Sequence, residues 1–208
     1  MTGEIVARVV RALEGYYRVA AEDPRPFVSV HDDESSREML LVRQGDDEVE
    51  MTLVLPKRLA TARWETLSLD ERCQVVEGAS HFLMVCDRAR GDRSTTQLEL
   101  ELQAEVDKWV VLSNGGRLHA AADLELRDAL YDADFPGSAE GGTGVCKYLH
   151  AGNTPQGERY RVANNLAARF VHRLSTGYAR TGRHHEMRAE LSKFFRMTQE
   201  QKLRTVAA

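Results

Sequence analysis

The stretch from Ser68 to Gly116 constrains this chain most, because helix starts and stops bracket two consecutive runs of apolar periodicity. Ser68 followed by Glu71 is a capping box, in which hydroxyl and carboxylate satisfy orphan backbone donors. Val75, Val76, Ala79, Phe82, Leu83 and Cys86 then recur at three- and four-residue steps, the stripe of one buried helical face. Gly91-Asp92 ends that run. Thr96 with Glu99 opens the next, and Ser94 with Gln97 is a competing register. Leu98, Leu102, Val106, Trp109 and Leu112 form the second stripe, and Asn114-Gly115-Gly116 supplies the left-handed stop. A short polar link between two helices favours an antiparallel pair, so the spacing predicts a central antiparallel helical hairpin over 68–113.

Four charged or titrating residues on this hairpin stand out. Glu101 and Glu105 lie one above the other at the edge of the second stripe, where like charges repel by about a few tenths of a kcal/mol. Lys108, three residues on, offsets one of them. Glu77 and His81 share a face of the first helix, on the side away from its stripe. Together Glu77, His81, Glu101 and Glu105 are the candidate metal or acid–base set. The competing reading is a solvated helix flank plus a subunit interface. Carboxylate metal sites in helical bundles use Glu and His three apart, twice, and here they are four apart, once. The His-Glu-x-x-His signature of zinc peptidases is absent too. No metal site is therefore assigned, no catalytic residue is named and no cofactor is expected.

Length allows one large domain or two small ones. The pattern reads as a single α+β domain over 1–208. Its subdivisions are an α+β layer at 1–66, the hairpin plus one helix at 67–130, a flexible Gly-rich loop at 131–157 and basic C-terminal helices at 158–208. No run approaches the ~18 apolar residues that span a bilayer. The N-terminal MTGEIVARVVRALEGYY carries Glu4 and lacks a continuous apolar segment, unlike a signal peptide. A cytoplasmic protein with no membrane partner is expected. Arg outnumbers Lys 23 to 5, as GC-rich codon usage produces, which points to a bacterial source. Cys73 and Cys86 lie near or on an apolar stripe and read as buried thiols. Cys146 sits in the Gly-rich loop beside Lys147, and nothing in the spacing positions His150 as its base.

Read in order, residues 3–20 form an amphipathic helix that Asp23-Pro24-Arg25-Pro26 breaks. Phe27–His31 is a strand. Residues 38–44 and 48–55 are strands joined by Gly45-Asp46-Asp47, a hairpin that Pro56 ends. The first of these is apolar on both faces, with Met39 and Leu41 on one and Leu40 and Val42 on the other. The expected fold class is α+β: a small N-terminal antiparallel sheet of about three strands, packed with a mainly helical remainder. Residues 60–64 form a helical turn. Leu118–Leu130 is a helix with Leu118, Ala121, Ala122, Leu124, Leu126 and Leu130 as its apolar positions. Gly141-Gly142-Thr143-Gly144 lacks the Gly-Lys-Ser/Thr ending of a phosphate loop. Glu158–Leu174 is a helix with Asn164-Asn165 in its middle, where Asn solvates or cross-links helices. Thr198 with Gln201 caps a last helix.

Charge is unevenly distributed. Residues 151–208 carry 11 Lys+Arg against 4 Asp+Glu, a surplus of +7, so residues 1–150 carry −11 within the total of −4. Arg180, Arg183, His184, His185 and Arg188 form the candidate anion-binding set. Arginines spread around their helices and an acidic whole chain make nucleic acid the less favoured partner. The leading expectation is a non-catalytic protein–protein interaction, adaptor or chaperone-like module whose partner is another protein or itself, as a homodimer. A metal- or carboxylate-dependent enzyme built on the hairpin ranks second. Nucleic-acid or phosphate binding through the C-terminal helices ranks third.

Overall fold

The computed structural model describes residues 3–33, 36–45, 48–131 and 154–207. The chain divides into two compact units: Met1–Gly15 with Val19–Ser94, and Tyr16–Arg18 with Thr95–Ala208. Most of the expected loop 131–157, with Cys146, His150 and Gly141–Gly144, lies outside the described residues. No described helix is long and apolar enough to cross a membrane.

The first unit opens with α1 (Glu4–Tyr17), on which Ile5, Val6, Val9, Val10 and Leu13 are buried at helical spacing. A single 3-10 turn at Arg25–Phe27 leads into a three-stranded sheet of β1 (Val28–His31), β2 (Met39–Gln44) and β3 (Val49–Pro56). β2 and β3 pair antiparallel as expected, with Met39 opposite Val54 and Gln44 opposite Val49. The expected antiparallel sheet is corrected in one respect. The order is β1-β3-β2 and β1 runs parallel to β3, so the sheet is mixed. Parallel pairing sets Val28 beside Leu53 and Val30 beside Leu55, on the face where those leucines are fully buried. β2 intervenes in sequence between β1 and β3, so no tight turn joins those two strands to impose an antiparallel sense.

Behind the sheet, α2 (Lys57–Thr61) and a 3-10 turn at Trp64–Thr66 lead into α3 (Leu69–Arg90). The capping box forms in full: Ser68 Oγ accepts from the Glu71 N–H at 3.3 Å, and the Glu71 carboxylate accepts from the Ser68 N–H at 2.9 Å. At Gly78 on α3 a Cβ would stand 2.9 Å from Leu53 Cδ1, so glycine lets the helix lie close to the sheet. Phe82 meets the Phe27 ring at 5.4 Å between centroids. Cys73 and Cys86 are buried, as expected.

The second unit is helical: α4 (Gln97–Leu112), α5 (Ala120–Leu130), α6 (Pro155–Gly177), α7 (His184–Arg196) and α8 (Gln199–Ala207). Thus α3 and α4, the two helices of the 68–113 stretch, belong to different units, whose boundary falls in the link between them. α4 packs chiefly on α6, with α5 against α4 and α8 against α6. Phe170 stacks on Phe194 at 4.0 Å, and Tyr17 on Phe195 at 4.6 Å. Thr154 caps α6 by accepting from the Gly157 N–H at 3.1 Å, so that helix begins three residues before the expected Glu158. α5 departs from expectation: Leu118 before it and Leu124 on it are exposed, whereas Asp123, Arg127 and Leu130 are buried.

After α4, Asn114, Gly115 and Gly116 adopt φ of 51°, 69° and 72°. A Cβ on Gly115 would stand 2.6 Å from Tyr16 Oη, so both backbone strain and lack of space exclude a side chain there. Gly115→Ala is expected to destabilise the chain by about 1–3 kcal/mol in chemical denaturation, and an unchanged midpoint contradicts the packing. Ser68→Ala is expected to cost about 1 kcal/mol near neutral pH. Hydrogen bonds from Ser68 hold the Glu71 carboxyl below the usual carboxylate range. Because its folded pKa is depressed, that contribution is present above the ordinary Glu range and fades as pH falls through the folded value. The gap between the two midpoints is therefore expected to narrow in acid but not to close, because the bond from the Glu71 N–H to Ser68 Oγ does not titrate.

Candidate functional site

The polar residues on α4 are not on a solvated flank. Glu99, Glu101, Gln103, Glu105, Asp107 and Lys108 are all buried, so α4 is withdrawn from solvent on nearly every side. Burying a charge is costly unless it is paired and hydrogen-bonded. Glu105 Oε1 accepts from Lys108 Nζ at 2.7 Å, and its Oε2 accepts from Asn164 Nδ2 at 3.2 Å. Asn164 also donates to the Leu130 carbonyl at 3.1 Å, so this mid-helix Asn cross-links helices. The Tyr131 hydroxyl donates to the Glu105 carbonyl at 3.1 Å.

Two further polar nodes share the second unit. Asp123 accepts from Trp109 Nε1 at 2.8 Å and Ser175 Oγ at 2.6 Å, and pairs with Arg127 Nε at 3.2 Å. Arg127 also approaches His172 Nδ1 at 3.1 Å. Partial burial, then the charges of Arg127 and Arg180, hold the His172 imidazole below its ordinary pKa, which leaves the ring neutral and able to accept. Elsewhere Tyr17 donates to Asp107. Gln103 Nε2 donates to Asp107 at 2.9 Å and to Tyr17 Oη at 3.1 Å, and Gln103 Oε1 accepts from the buried Lys202 Nζ at 2.8 Å. Burial, then the Asp107 charge, pushes the Tyr17 hydroxyl well above its usual range. Such fully engaged groups position helices.

The four residues of the candidate metal set are divided two and two between the units. Glu77 and His81 lie one turn apart on α3, Glu77 buried and His81 half-buried, so the expected solvated flank is corrected there as well. Glu101 and Glu105 lie one turn apart on α4. The candidate anion set is spread among local partners. Arg183 Nε pairs with Glu186 at 3.0 Å and its guanidinium covers the Tyr178 ring. Arg188 covers the Tyr16 ring at 5.4 Å. Arg180 and His185 are exposed and His184 is half-buried.

A different surface emerges on the sheet. Among the described residues β3 is central, and β2 is paired on one side alone. Met39, Leu41 and Val42 are 52%, 50% and 47% exposed, and only Leu40 on that strand is half-buried. Natural sheets blunt such edges with Pro, Lys, bulges or a covering element. Here the one charge within β2 is Arg43, and it is neutralised by Glu50 across the hairpin at 2.6 Å. The sequence signal was the apolar character of both strand faces, which a strand covered on one face does not need. No family model, curated protein or solved structure matches this chain.

Glu105→Ala leaves Lys108 buried without its carboxylate and is expected to cost about 3–5 kcal/mol. Adding Lys108→Met should recover part of that loss in a double-mutant cycle read by chemical denaturation. Strict additivity would show that the two side chains act independently.

Proposed function

We propose that this chain is a non-catalytic protein–protein interaction module, adaptor-like or chaperone-like, acting in the cytoplasm, and that the open edge of β2 is its docking face. One observation carries the reading: a six-residue strand whose outer flank is unpaired among the described residues, with three large apolar side chains about half exposed. A row of unpaired backbone donors and acceptors beside apolar side chains is the surface to which an extended segment adds as a further strand. Main-chain hydrogen bonds supply affinity, and alternate side chains supply selectivity. The exposed Arg43–Glu50 pair contributes at most about 1 kcal/mol, too little to guard the edge.

A photo-activated cross-linking residue at position 41, in cells at native expression, is expected to give a discrete protein adduct. The same residue at exposed Leu124 serves as the control. Absence of any adduct at 41, or equal labelling at 124, would sink the docking face.

A carboxylate–imidazole reading has one observation in its favour. Glu77 and His81 stand one turn apart on α3, both at least half-withdrawn from water. Two such donors suit Zn²⁺ or Mn²⁺, with water or added donors completing the shell. This reading expects Zn²⁺ to raise the melting temperature of the wild type and to leave Glu77→Gln and His81→Gln unmoved. An equal response in all three proteins removes it.

A further inference from the structure

We propose that the occupant of the β2 edge is a second copy of this chain, its β2 running antiparallel about a two-fold axis at Leu41. This rests on the docking face proposed above and names what docks there.

Symmetry restricts the arrangement. A two-fold axis normal to the sheet keeps each side chain on its own face, and residues opposed across two strands share a face. The axis must therefore pass through a residue opposed to itself. Three choices keep the apolar part of β2 in contact, with the axis at Leu40, Leu41 or Val42. An axis at Leu40 opposes Val42 to Glu38 of the second copy, which sets an apolar side chain against a carboxylate. An axis at Val42 sets Leu41 against Arg43 and Leu40 against Gln44, which wastes two apolar residues on polar partners.

The axis at Leu41 does neither. Leu41 meets Leu41 of the second copy, Leu40 meets Val42, and Glu38 meets Gln44. Met39 meets the aliphatic stem of Arg43, whose guanidinium stays engaged by Glu50 at 2.6 Å. Arg37 likewise keeps Asp70 at 3.1 Å. The strand is thus complementary to itself in hydropathy and opposes no like charges. A foreign strand selected by charge would need a free cation on β2, and Arg43 is already neutralised. The outcome is one continuous six-stranded sheet, with the exposed Met39, Leu41 and Val42 side chains covered by their counterparts.

The contact is short. Six residues span about 20 Å of strand, so the interface falls below the ~1,600 Å² of standard complexes. A reversible dimer with a dissociation constant on the order of 10–100 μM is expected.

Sedimentation of the full chain from about 5 to 500 μM should show monomer converting to dimer. Leu41→Arg should hold it monomeric with unchanged circular dichroism and melting temperature, since position 41 is half exposed. In a Cys146→Ser background, mild oxidation by oxidised glutathione should link Leu41→Cys to itself. Leu40→Cys alone should stay unlinked, yet link when mixed with Val42→Cys. The proposal is overturned by a monomer throughout the range with no Leu41→Cys adduct. It is also overturned by a dimer that survives Leu41→Arg, or by self-linking of Leu40→Cys as efficient as that of Leu41→Cys. If the pure chain stays monomeric while the cross-linker at 41 captures a different protein in cells, self-pairing falls and the interaction module stands. Failure of both experiments removes both.

Discussion

A carboxylate buried away from water must be surrounded by donors, and the second unit is arranged to meet that requirement. Asp123 is reached by Trp109 from α4, by Arg127 from its own helix α5 and by Ser175 from α6. Glu105 gathers Lys108 from α4 and Asn164 from α6. Each group has a cost when left alone that exceeds the net gain of any one bond. A shifted helix therefore loses several partners together, and the helices are held in one register. Apolar contacts such as Phe170 on Phe194 supply driving force but tolerate sliding. The polar nodes supply the selectivity that an apolar helix interface lacks.

What was legible in the sequence was local. The boxes at Ser68–Glu71 and Thr198–Gln201 and the cap at Thr96 all form, because each requires residues three apart and nothing more. The hairpin of β2 and β3 forms for the same reason. The placement of β1 was not legible, since β2 intervenes in sequence between β1 and β3 and no local turn sets the sense of β1. Of the leucines in the α5 pattern Leu130 alone is buried, because Asp123 and Arg127 take the inward positions that Leu118 and Leu124 do not. The partners of Asp123, Trp109 and Ser175, stand 14 and 52 residues away. Glu101 and Glu105 were recognised as odd, and Lys108 as the offset for one of them. That Glu105 also binds Asn164, 59 residues on, has no local trace.

The β2 edge belongs to both categories. Its apolar character on two faces is plain in the string Met39-Leu40-Leu41-Val42. Whether such a strand is a buried centre or an open flank depends on strand order, and the order β1-β3-β2 puts it outside. The same four residues at the centre of a sheet would be ordinary core. Position alone turns them into a surface.

The membership of Tyr16–Arg18 in the second unit bears on how the chain is made. Tyr17 stacks on Phe195, donates to Asp107 and, through its carbonyl, accepts from Ser192 Oγ at 2.8 Å. During synthesis Tyr17 leaves the ribosome 90 residues before Asp107 and 178 before Phe195. The helical unit therefore cannot complete its interior until Phe195 has been made. A fragment beginning at Thr95 would bury Asp107 without its phenol however long it was given to fold. Truncation at the apparent boundary would thus yield an incomplete body, and a fragment that keeps the unit whole has to bring its own copy of the α1 terminus.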